Sequence, residues 1–413
     1  MKYTKEQRVL RKLTAQYAEC AADPKNIQKL ALHRSVNDLK QIRPIVFIDE
    51  IPWNEMNHDE SLTLECEDPV FRRYEETLRR KLYQWKYFPA DMVLEPYIGV
   101  QKKIHSTGIG VEIQDEIRVT ESDNNIVSHK YLSQFETEDD LSKLHNPIIT
   151  YDESGTNAEF QKIGDLLGDL LPVKKVGEAT GYSLGCKSWD IIASCMNLDT
   201  LLCNLIDEPE FMHALAKRFA DIFLDTIRQY EELNLLDADT LYLHSTAATI
   251  SGLGPVDREH VTAKNVWGRG LAQIFSTVSP DMHNEFDITY MKEAMAPFGA
   301  VYYGCCEPLD RKIDILRQIP NLRKISISPW ADINIAAEAI QKDYVASVKP
   351  NPANVACDSL DEQVIRKELG TILRACEKNG CAFELVLKDI STVKHHPENL
   401  MKWEKIAMEM VGG

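Results

Sequence analysis

No stretch of this chain reaches the run of about 18 apolar residues that crosses a bilayer, because charged side chains interrupt every apolar segment first. A membrane-spanning role is not expected. The start, MKYTKEQRVLRKL, is charged and amphipathic and lacks the apolar centre of a signal peptide. A cytoplasmic location is therefore the expectation. No G-x-G-x-x-G follows the first strand candidate and no P-loop occurs, so nucleotide binding of those kinds has no support. Internal repeats and low-complexity tracts are also missing. Positive charge is in deficit, with 47 Lys and Arg against 64 Asp and Glu, a net −17 spread along the chain. Such a field disfavours nucleic acid and anionic surfaces, and a neutral or cationic small molecule is the easier partner.

What is present is enough apolar residue, 44% of 413, for a large core. The ten cysteines are scattered, and a chain of this length needs no disulfides to fold. Most are expected to be reduced and inert; the adjacent pair Cys305 and Cys306 stands apart.

Residues 1–42 read as a helical extension, with Val9, Leu10, Leu13, Tyr17 and Ala18 on a 3.6-residue rhythm. Residues 43–413 read as one domain. Strand candidates are 43–48, 90–98, 174–184, 240–246, 300–305, 324–330, 344–350 and 382–389, with helical stretches between them. The later ones are short apolar runs bounded by turns, as buried parallel strands are. Alternation between 108 and 135 suggests a β-hairpin within an insertion at about 105–165. Eight βα units point to an α/β fold, a closed (β/α)8 TIM barrel more than an open sheet. On a barrel, the long spacer 251–282 would hang over the mouth.

Catalytic groups of a parallel barrel stand at the C-terminal ends of its strands. The sequence puts Asp49, Glu50, Trp53 and Asn54 after the first strand, Glu95 and Tyr97 after the second, and His244 after the fourth. Cys305, Cys306 and Glu307 follow the fifth, Trp330 and Asp332 the sixth, Lys349 and Asn351 the seventh, and Lys388 and Asp389 the eighth. Thiols beside a carboxylate are zinc-ligand types. Neighbouring residues at a strand end point opposite ways, so one of the two cysteines should face the axis. His283 and Glu285, at the start of a helix entered through Ser279-Pro280, are further metal-ligand candidates. Asp49, Glu50, Glu307 and His244 have proton-transfer chemistry, and Trp53, Trp267 and Trp330 would wall an apolar pocket. Each residue taken singly has a bland alternative as a cap, a core filler or a solvated surface group.

Four segments carry a resemblance. IDEIPWNEM (48–56), SPDMHNEFDITYMKEAMAPFGAVYYGCCEPLDRKIDILRQIPNLRKISISPWADI (279–333), KPNPANVA (349–356) and LVLKDISTVKHHPENLMKWEKIAMEMV (385–411) resemble uroporphyrinogen decarboxylase-like proteins of anaerobic bacteria. The resemblance implies a TIM barrel of the uroporphyrinogen decarboxylase superfamily, on the side of the corrinoid-dependent methyltransferases and O-demethylases. Members of that kind use zinc to activate a thiol or to bind a methyl donor. It also makes a homodimer an allowed assembly. The sequence departs from the family in three places. The first-strand loop, DEIPWNEM, is acidic where porphyrinogen decarboxylases carry arginines, which argues against heme synthesis. Tyr303 stands where the zinc enzymes have the histidine of a His-x-Cys, and Ser391 where a further histidine is expected.

The function expected is transfer of a methyl group from a small methylated compound (an aryl ether, amine or thiol) to the cobalt of a separate corrinoid protein. No D-x-H-x-x-G run occurs, so the corrinoid would arrive on that partner. Cys305, Cys306, His283 and Glu285 are the expected zinc ligands. Glu307, Asp49, Glu50 and His244 are the expected catalytic groups, and Trp53, Asn54, Tyr97, Tyr303, Trp330, Lys349 and Asn351 the expected substrate wall. A metal-independent decarboxylase or lyase of a small acid, leaning on Lys349 and Lys388, is the first alternative. A non-catalytic small-molecule binding protein is the second.

Overall fold

The computed structural model describes residues 3–118, 128–178, 184–254 and 260–412. Helices α1 (Lys5–Ala21) and α2 (Lys25–Asn37) precede strand β1 (Ile45–Ile48), and α3 (Pro69–Tyr87) leads to β2 (Ile98–Gln101). Four short strands follow, β3 (Lys103–Ser106), β4 (Asp115–Arg118), β5 (Ser128–Tyr131) and β6 (Ile149–Asp152), then α4 (Glu153–Leu167) and β7 (Val173–Val176). Helices α5 (Ser188–Ala193), α6 (Leu198–Asp207) and α7 (Pro209–Glu232) run into a small hairpin, β8 (Tyr242–Leu243) and β9 (Thr246–Ala247). From β10 (Trp267–Gly270) onward the order is regular. It runs α8 (Pro280–His283), a π-helical turn at Asn284–Ile288, α9 (Thr289–Met295), β11 (Ala300–Tyr303), α10 (Ile313–Leu316) and β12 (Leu322–Ile327), then α11 (Ile333–Ile340), β13 (Val345–Val348), α12 (Glu362–Asn379), β14 (Ala382–Leu387) and α13 (Glu398–Val411).

The centre is a six-stranded parallel sheet in the order β1-β14-β13-β12-β11-β10. β2 and β7 form a separate parallel pair, and isolated bridges join Cys186 to Gly270 and Glu178 to Leu236. A closed ring of eight strands is not shown among the described residues. Local chemistry accounts for two of the differences from expectation. The stretch 90–98 is not a strand: Pro96 has no amide to give to a ladder, and β2 begins only at Ile98. The stretch 240–246 folds back on itself, because His244 and Ser245 take left-handed backbone (φ 34° and 66°) and turn β8 antiparallel onto β9. The spacer 251–282 is not all loop, since it contains β10 and α8; its residues 255–259, like 179–183 of the third strand candidate, lie outside the described residues. The hairpin expected between 108 and 135 is seen as β4 on β5, with β3 on β6 beside it, while 119–127 lie outside the described residues.

The apolar face of the sheet packs on the helices: Ile325, Ile327, Ala346, Val348, Leu385 and Leu387 sit in the main core with Ile365, Leu369, Trp403 and Ile406. The other face alternates with it and is polar. Lys324, Ser326 and Ser328 on and after β12, Ser347 and Lys349 on and after β13, and Glu384 and Lys388 on and after β14 are all buried. A buried lysine or glutamate is costly unless paired or hydrogen-bonded, so these positions are where the sheet gives up packing for chemistry.

Helix α2 covers the start of β1 with His33, which is fully buried and has its Nε2 2.8 Å from the Asp91 carbonyl. Burial pushes this imidazole down from 6.5 to about 4. Between those two values the unfolded chain holds the extra proton and the folded chain does not, so stability falls as pH drops through that window. We expect urea unfolding at pH 5 to show about 2 kcal/mol less stability from this residue than at pH 7. A His33→Leu variant should lose correspondingly less over the same interval; an unchanged pH response in that variant would refute the assignment.

Candidate functional site

The polar face ends in a mouth built on Lys388 and Asp389 after β14, Glu50 after β1, Cys305 and Cys306 after β11, and His244 in the β8–β9 turn. β1 pairs directly with β14, which brings Glu50 beside Asp389: the Asp389 amide donates to Glu50 Oε2 at 3.1 Å. The Lys388 side chain is buried, and its ammonium is the hub. Nζ lies 3.1 Å from Asp389 Oδ2, 3.4 Å from both Glu50 carboxylate oxygens, 3.5 Å from His244 Nε2 and 3.9 Å from Cys305 Sγ. Cys305 Sγ is in turn 3.5 Å from His244 Nε2 and 3.6 Å from Cys306 Sγ, and Cys306 Sγ, which has one proton to give to either Cys305 or Asp389, lies 3.4 Å from Asp389 Oδ2.

Backbone conformation sets this arrangement. Glu50 (φ 50°), His244 (34°), Ser245 (66°) and Asp389 (57°) are all left-handed non-glycine residues, a cost of about 1–3 kcal/mol each that tends to persist at functional sites. Gly304 at φ 97° breaks the strand alternation after β11, which is why both cysteines reach the mouth and not one, as strand geometry alone implied. A Cβ at position 304 would fall 2.5 Å from Leu309 Cδ1 and 3.2 Å from Ser326 Cβ. We expect Gly304→Ala to cost about 1–2 kcal/mol in urea unfolding and to change the alkylation rate of Cys305. A wild-type alkylation rate in that variant would show that Gly304 does not set the thiol.

The charges order the protons. The hydrogen bond from Cys306, helped by Lys388 and Arg269, outweighs burial and brings the Cys305 thiol from 9 down to about 7. The same contact pushes Cys306 up, as do its burial and the charge of Cys305. Burial raises Glu50, and its hydrogen bond with Asp389 adds to that. Burial would raise Asp389 too, but the Glu50 bond and the Lys388 charge hold it below its ordinary value. Of the two carboxyl groups, Glu50 is therefore the weaker acid. Burial and then the cations Arg269, Lys388, Lys349 and Lys187 press His244 down to about 2, so its imidazole is neutral. Burial alone would lower Lys388, but Cys305, Glu50 and Asp389 keep it charged.

Other expected site residues stand elsewhere or do other work. Glu307 is fully buried and accepts from the backbone amides of Cys305 (2.9 Å) and Ala272 (3.3 Å), which makes it a positioning residue for the thiol loop. Asp49 accepts from the Glu50 amide at 2.8 Å and so shapes that turn. Tyr303 points to the helix side, where its hydroxyl donates to Asp287 at 2.6 Å. His283 is fully buried there, its Nε2 2.7 Å from the Tyr303 hydroxyl and its Nδ1 3.1 Å from Lys312 Nζ. Because the ammonium only donates, Nδ1 accepts and Nε2 carries the proton. Glu285 is exposed and pairs with His213 at 3.3 Å. Neither His283 nor Glu285 joins the cysteines.

Trp53 packs edge-on to Tyr83, with Arg80 over its ring, and Asn54 is exposed. Trp330 is 74% exposed, too open for a pocket wall. Tyr97 precedes β2 and so sits at the strand's N-terminal end, away from the C-terminal mouth. Asn351 caps the turn Pro352–Asn354 through its side chain. Lys349 is buried on the polar face, donating to the Tyr302 hydroxyl (2.9 Å) and to Ser347 Oγ (2.6 Å) and O (2.9 Å).

Zinc needs three or four convergent donors. Cys305, Cys306 and His244 approach one another, but the Lys388 ammonium stands against both Cys305 and His244. Among the described residues, no group of three or more His, Cys, Asp or Glu side chains is placed to hold a metal ion. The residues present do not fit zinc, and no step below runs through it.

Sequence reasoning overlooked Arg269, Tyr302, Lys324 and Glu384 on the polar face, and placed Lys388 and Asp389 at a strand end without making them the hub. The signal was available. In KISIS every second residue is polar, and in VASVK and FELVLK all the polar residues (Ser347 and Lys349, Glu384 and Lys388) fall an even number of residues apart in otherwise apolar runs; a period of two separates the faces of a strand.

No family model and no curated protein matches the chain. Among solved structures, a methyltransferase from Methanosarcina mazei aligns over 92% of this chain and 98% of its own, at 11% identity and a TM-score of 0.46. A B12-independent methionine synthase from a Shewanella species, in complex with selenomethionine, aligns over 75% of this chain and 77% of its own, at 12% identity and a TM-score of 0.34. Neither likeness bears on the chemistry of the mouth. No helix among the described residues is long and apolar enough to cross a membrane.

Proposed function

We propose that this chain is a methyltransferase that moves a methyl group from a small methylated donor to the cobalt of a separate corrinoid protein. The reading is supported by the resemblance of residues 48–56, 279–333, 349–356 and 385–411, and by one observation above all. That observation is a thiol brought to about 7 beside a buried ammonium at the C-terminal ends of β11 and β14. Demethylation of an ether, amine or thioether is limited by the charge that develops on the departing heteroatom. A proton donor matched to neutral pH meets that charge most efficiently.

In the proposed reaction the carbon–heteroatom bond breaks as the methyl group passes to the cobalt acceptor. The electron pair of that bond stays on the heteroatom, which takes the proton of Cys305. The thiolate left behind is stabilised by the Lys388 ammonium and by the hydrogen bond from Cys306. Glu50 and Asp389 hold the ammonium in place. Solvent then reprotonates the thiol. The test is a methyl-transfer assay with a reduced corrinoid protein and a panel of aryl ethers, methylamines and methyl thioethers, followed by the cobalt spectrum. Donor-dependent loss of the reduced cobalt band is expected, and a flat spectrum across the panel would refute the reading.

A specific observation favours a second reading, a decarboxylase of a small acid. Lys349 and Arg269 both lie over the Tyr302 ring, at 5.3 and 5.8 Å, inside the polar face where a carboxylate would be held. Carbon dioxide release from a small-acid panel without any corrinoid protein would select it.

A further inference from the structure

We infer that Cys305 and Cys306 form a site of reversible oxidation, a pair of neighbouring thiols that a hydroperoxide closes into a disulfide between adjacent residues. Their sulfur atoms are 3.6 Å apart, in van der Waals contact. The loop that carries them is held on both sides. Gly304 at φ 97° turns both side chains to the mouth, the Glu307 carboxylate accepts from the Cys305 amide at 2.9 Å, and the Ser326 hydroxyl donates to the Cys305 carbonyl at 2.7 Å. The pair opens outward on one side only. Cys305 is buried, but Cys306 is half-buried and the Asp389 side chain beside it is 49% exposed, which gives a molecule as small as hydrogen peroxide a way in.

The two thiols are unequal, and the inequality assigns their parts. The contact with Cys306, the Lys388 ammonium 3.9 Å away and the Arg269 charge favour the Cys305 thiolate, the attacking form. The same contact, with burial and the charges of Cys305 and Asp389, keeps Cys306 protonated until it is called on. A low thiol beside a resolving cysteine is the arrangement of redox-sensitive sites. In the first step the Cys305 sulfur attacks the outer oxygen of the hydroperoxide. The O–O bond breaks, the departing alcohol or water takes the proton given up by Cys305, and Cys305 becomes a sulfenic acid. Cys306 then attacks that sulfur: the S–S bond forms, the S–O bond breaks, and hydroxide leaves with the Cys306 proton as water. The hydroperoxide takes two electrons, one from each sulfur. Adjacent Cα atoms are about 3.8 Å apart, less than the roughly 4.4–6.8 Å of an ordinary disulfide, so the closed pair is strained and easily reopened by a small thiol. Closure removes the Cys305 proton from the mouth. That consequence rests on the role proposed for Cys305 above; the oxidation itself does not.

The test reads the mass of one peptide and not activity. Full-length wild type, reduced and then freed of thiol, is treated with one equivalent of hydrogen peroxide near neutral pH, blocked with iodoacetamide under denaturing conditions and digested with trypsin. The tryptic peptide 293–311 carries these two cysteines and no other. It is expected to be two hydrogen atoms lighter and free of alkylation, and dithiothreitol added before blocking should restore two alkylated thiols. Exposed Cys203 serves as the reference and should stay alkylated throughout. Cys306→Ser should stop at a Cys305 sulfenic acid that dimedone traps, and Cys305→Ser should leave Cys306 alkylated. Wild type whose peptide 293–311 keeps both thiols alkylated after peroxide overturns the inference. So does sulfinic acid on Cys305 with Cys306 still alkylated, or a disulfide from either residue to a different cysteine. A flat cobalt spectrum in the methyl-transfer assay would leave these masses unchanged, so the two readings fail separately.

Discussion

Glu384→Gln is expected to cost about 3–5 kcal/mol of stability, the scale for stripping one partner from a buried ion pair. Lys324 is fully buried, and its ammonium is 3.0 Å from Glu384, 2.6 Å from Thr246 Oγ1 and 2.9 Å from the Ala247 carbonyl. Glutamine keeps the shape and removes the charge, leaving Lys324 with neutral partners only and Lys349 as a cation on the same face. Burial already lowers Lys324 from 10.5 to about 8, with Glu384 pulling the other way. Without Glu384 it falls further. Between the folded value and 10.5 the unfolded chain holds the proton that the folded chain has given up, so stability rises with pH across that window. The variant should therefore be weakest near pH 6–7 and recover part of its loss by pH 9, as measured by urea midpoints. Pairing it with Lys324→Met, which removes both charges, should restore much of the stability. A Glu384→Gln protein as stable as wild type at pH 7 would mean that the polar face is hydrated and not a dry, paired interior.

How far the sequence showed this architecture depends on the kind of signal. β11, β12, β13 and β14 were legible as short apolar runs because a strand buried on both faces must be apolar almost throughout. The exceptions in and just after them, Lys324 with Ser326, Ser347 with Lys349 and Glu384 with Lys388, are legible too, as polar positions an even number of residues apart and so on one face. Closure into a ring was inferred by counting eight segments, and two of those segments failed for local reasons. Pro96 cannot donate to a ladder, and His244-Ser245 reverses the chain. β10 was missed because WGRG contains two glycines and an arginine, and so has neither the apolar run nor the alternation that marks a strand. At the mouth, residue types were read correctly as chemistry-bearing, but their directions were not. Gly304 lets both cysteines turn to one side, a positive-φ effect invisible in spacing. Tyr303 and Tyr302 look alike in sequence and face opposite layers. Tyr97 was assigned to a strand's C-terminal end only because the strand was placed eight residues too early. Directions come from register, and register is fixed by pairings between segments far apart in the chain.

Replacing Cys305 by serine should remove the proton donor while leaving a hydroxyl of similar size. A serine hydroxyl gives up its proton far less readily than this thiol, so the loss depends on how much the departing group needs one. For donors whose leaving group is a strongly basic alkoxide or amide anion, the expected loss in kcat is the general-acid contribution, about 10²–10⁴-fold. For activated thiophenyl or nitrophenyl methyl donors, which depart as stable anions, the loss should shrink towards nothing. The pH dependence carries the same signature. The protonated thiol is the active form and its value is about 7, so wild-type kcat should fall as pH rises through that region, and the fall should vanish in Cys305→Ser. Comparing the two proteins at each pH cancels whatever the corrinoid partner itself does. If Cys305 served only to brace Lys388, its removal would slow every donor by one factor and leave the shape of the pH profile intact. A uniform loss across leaving groups is thus the outcome that strips the thiol of its assigned role, while a loss graded by leaving-group basicity ties the proton of Cys305 to bond cleavage.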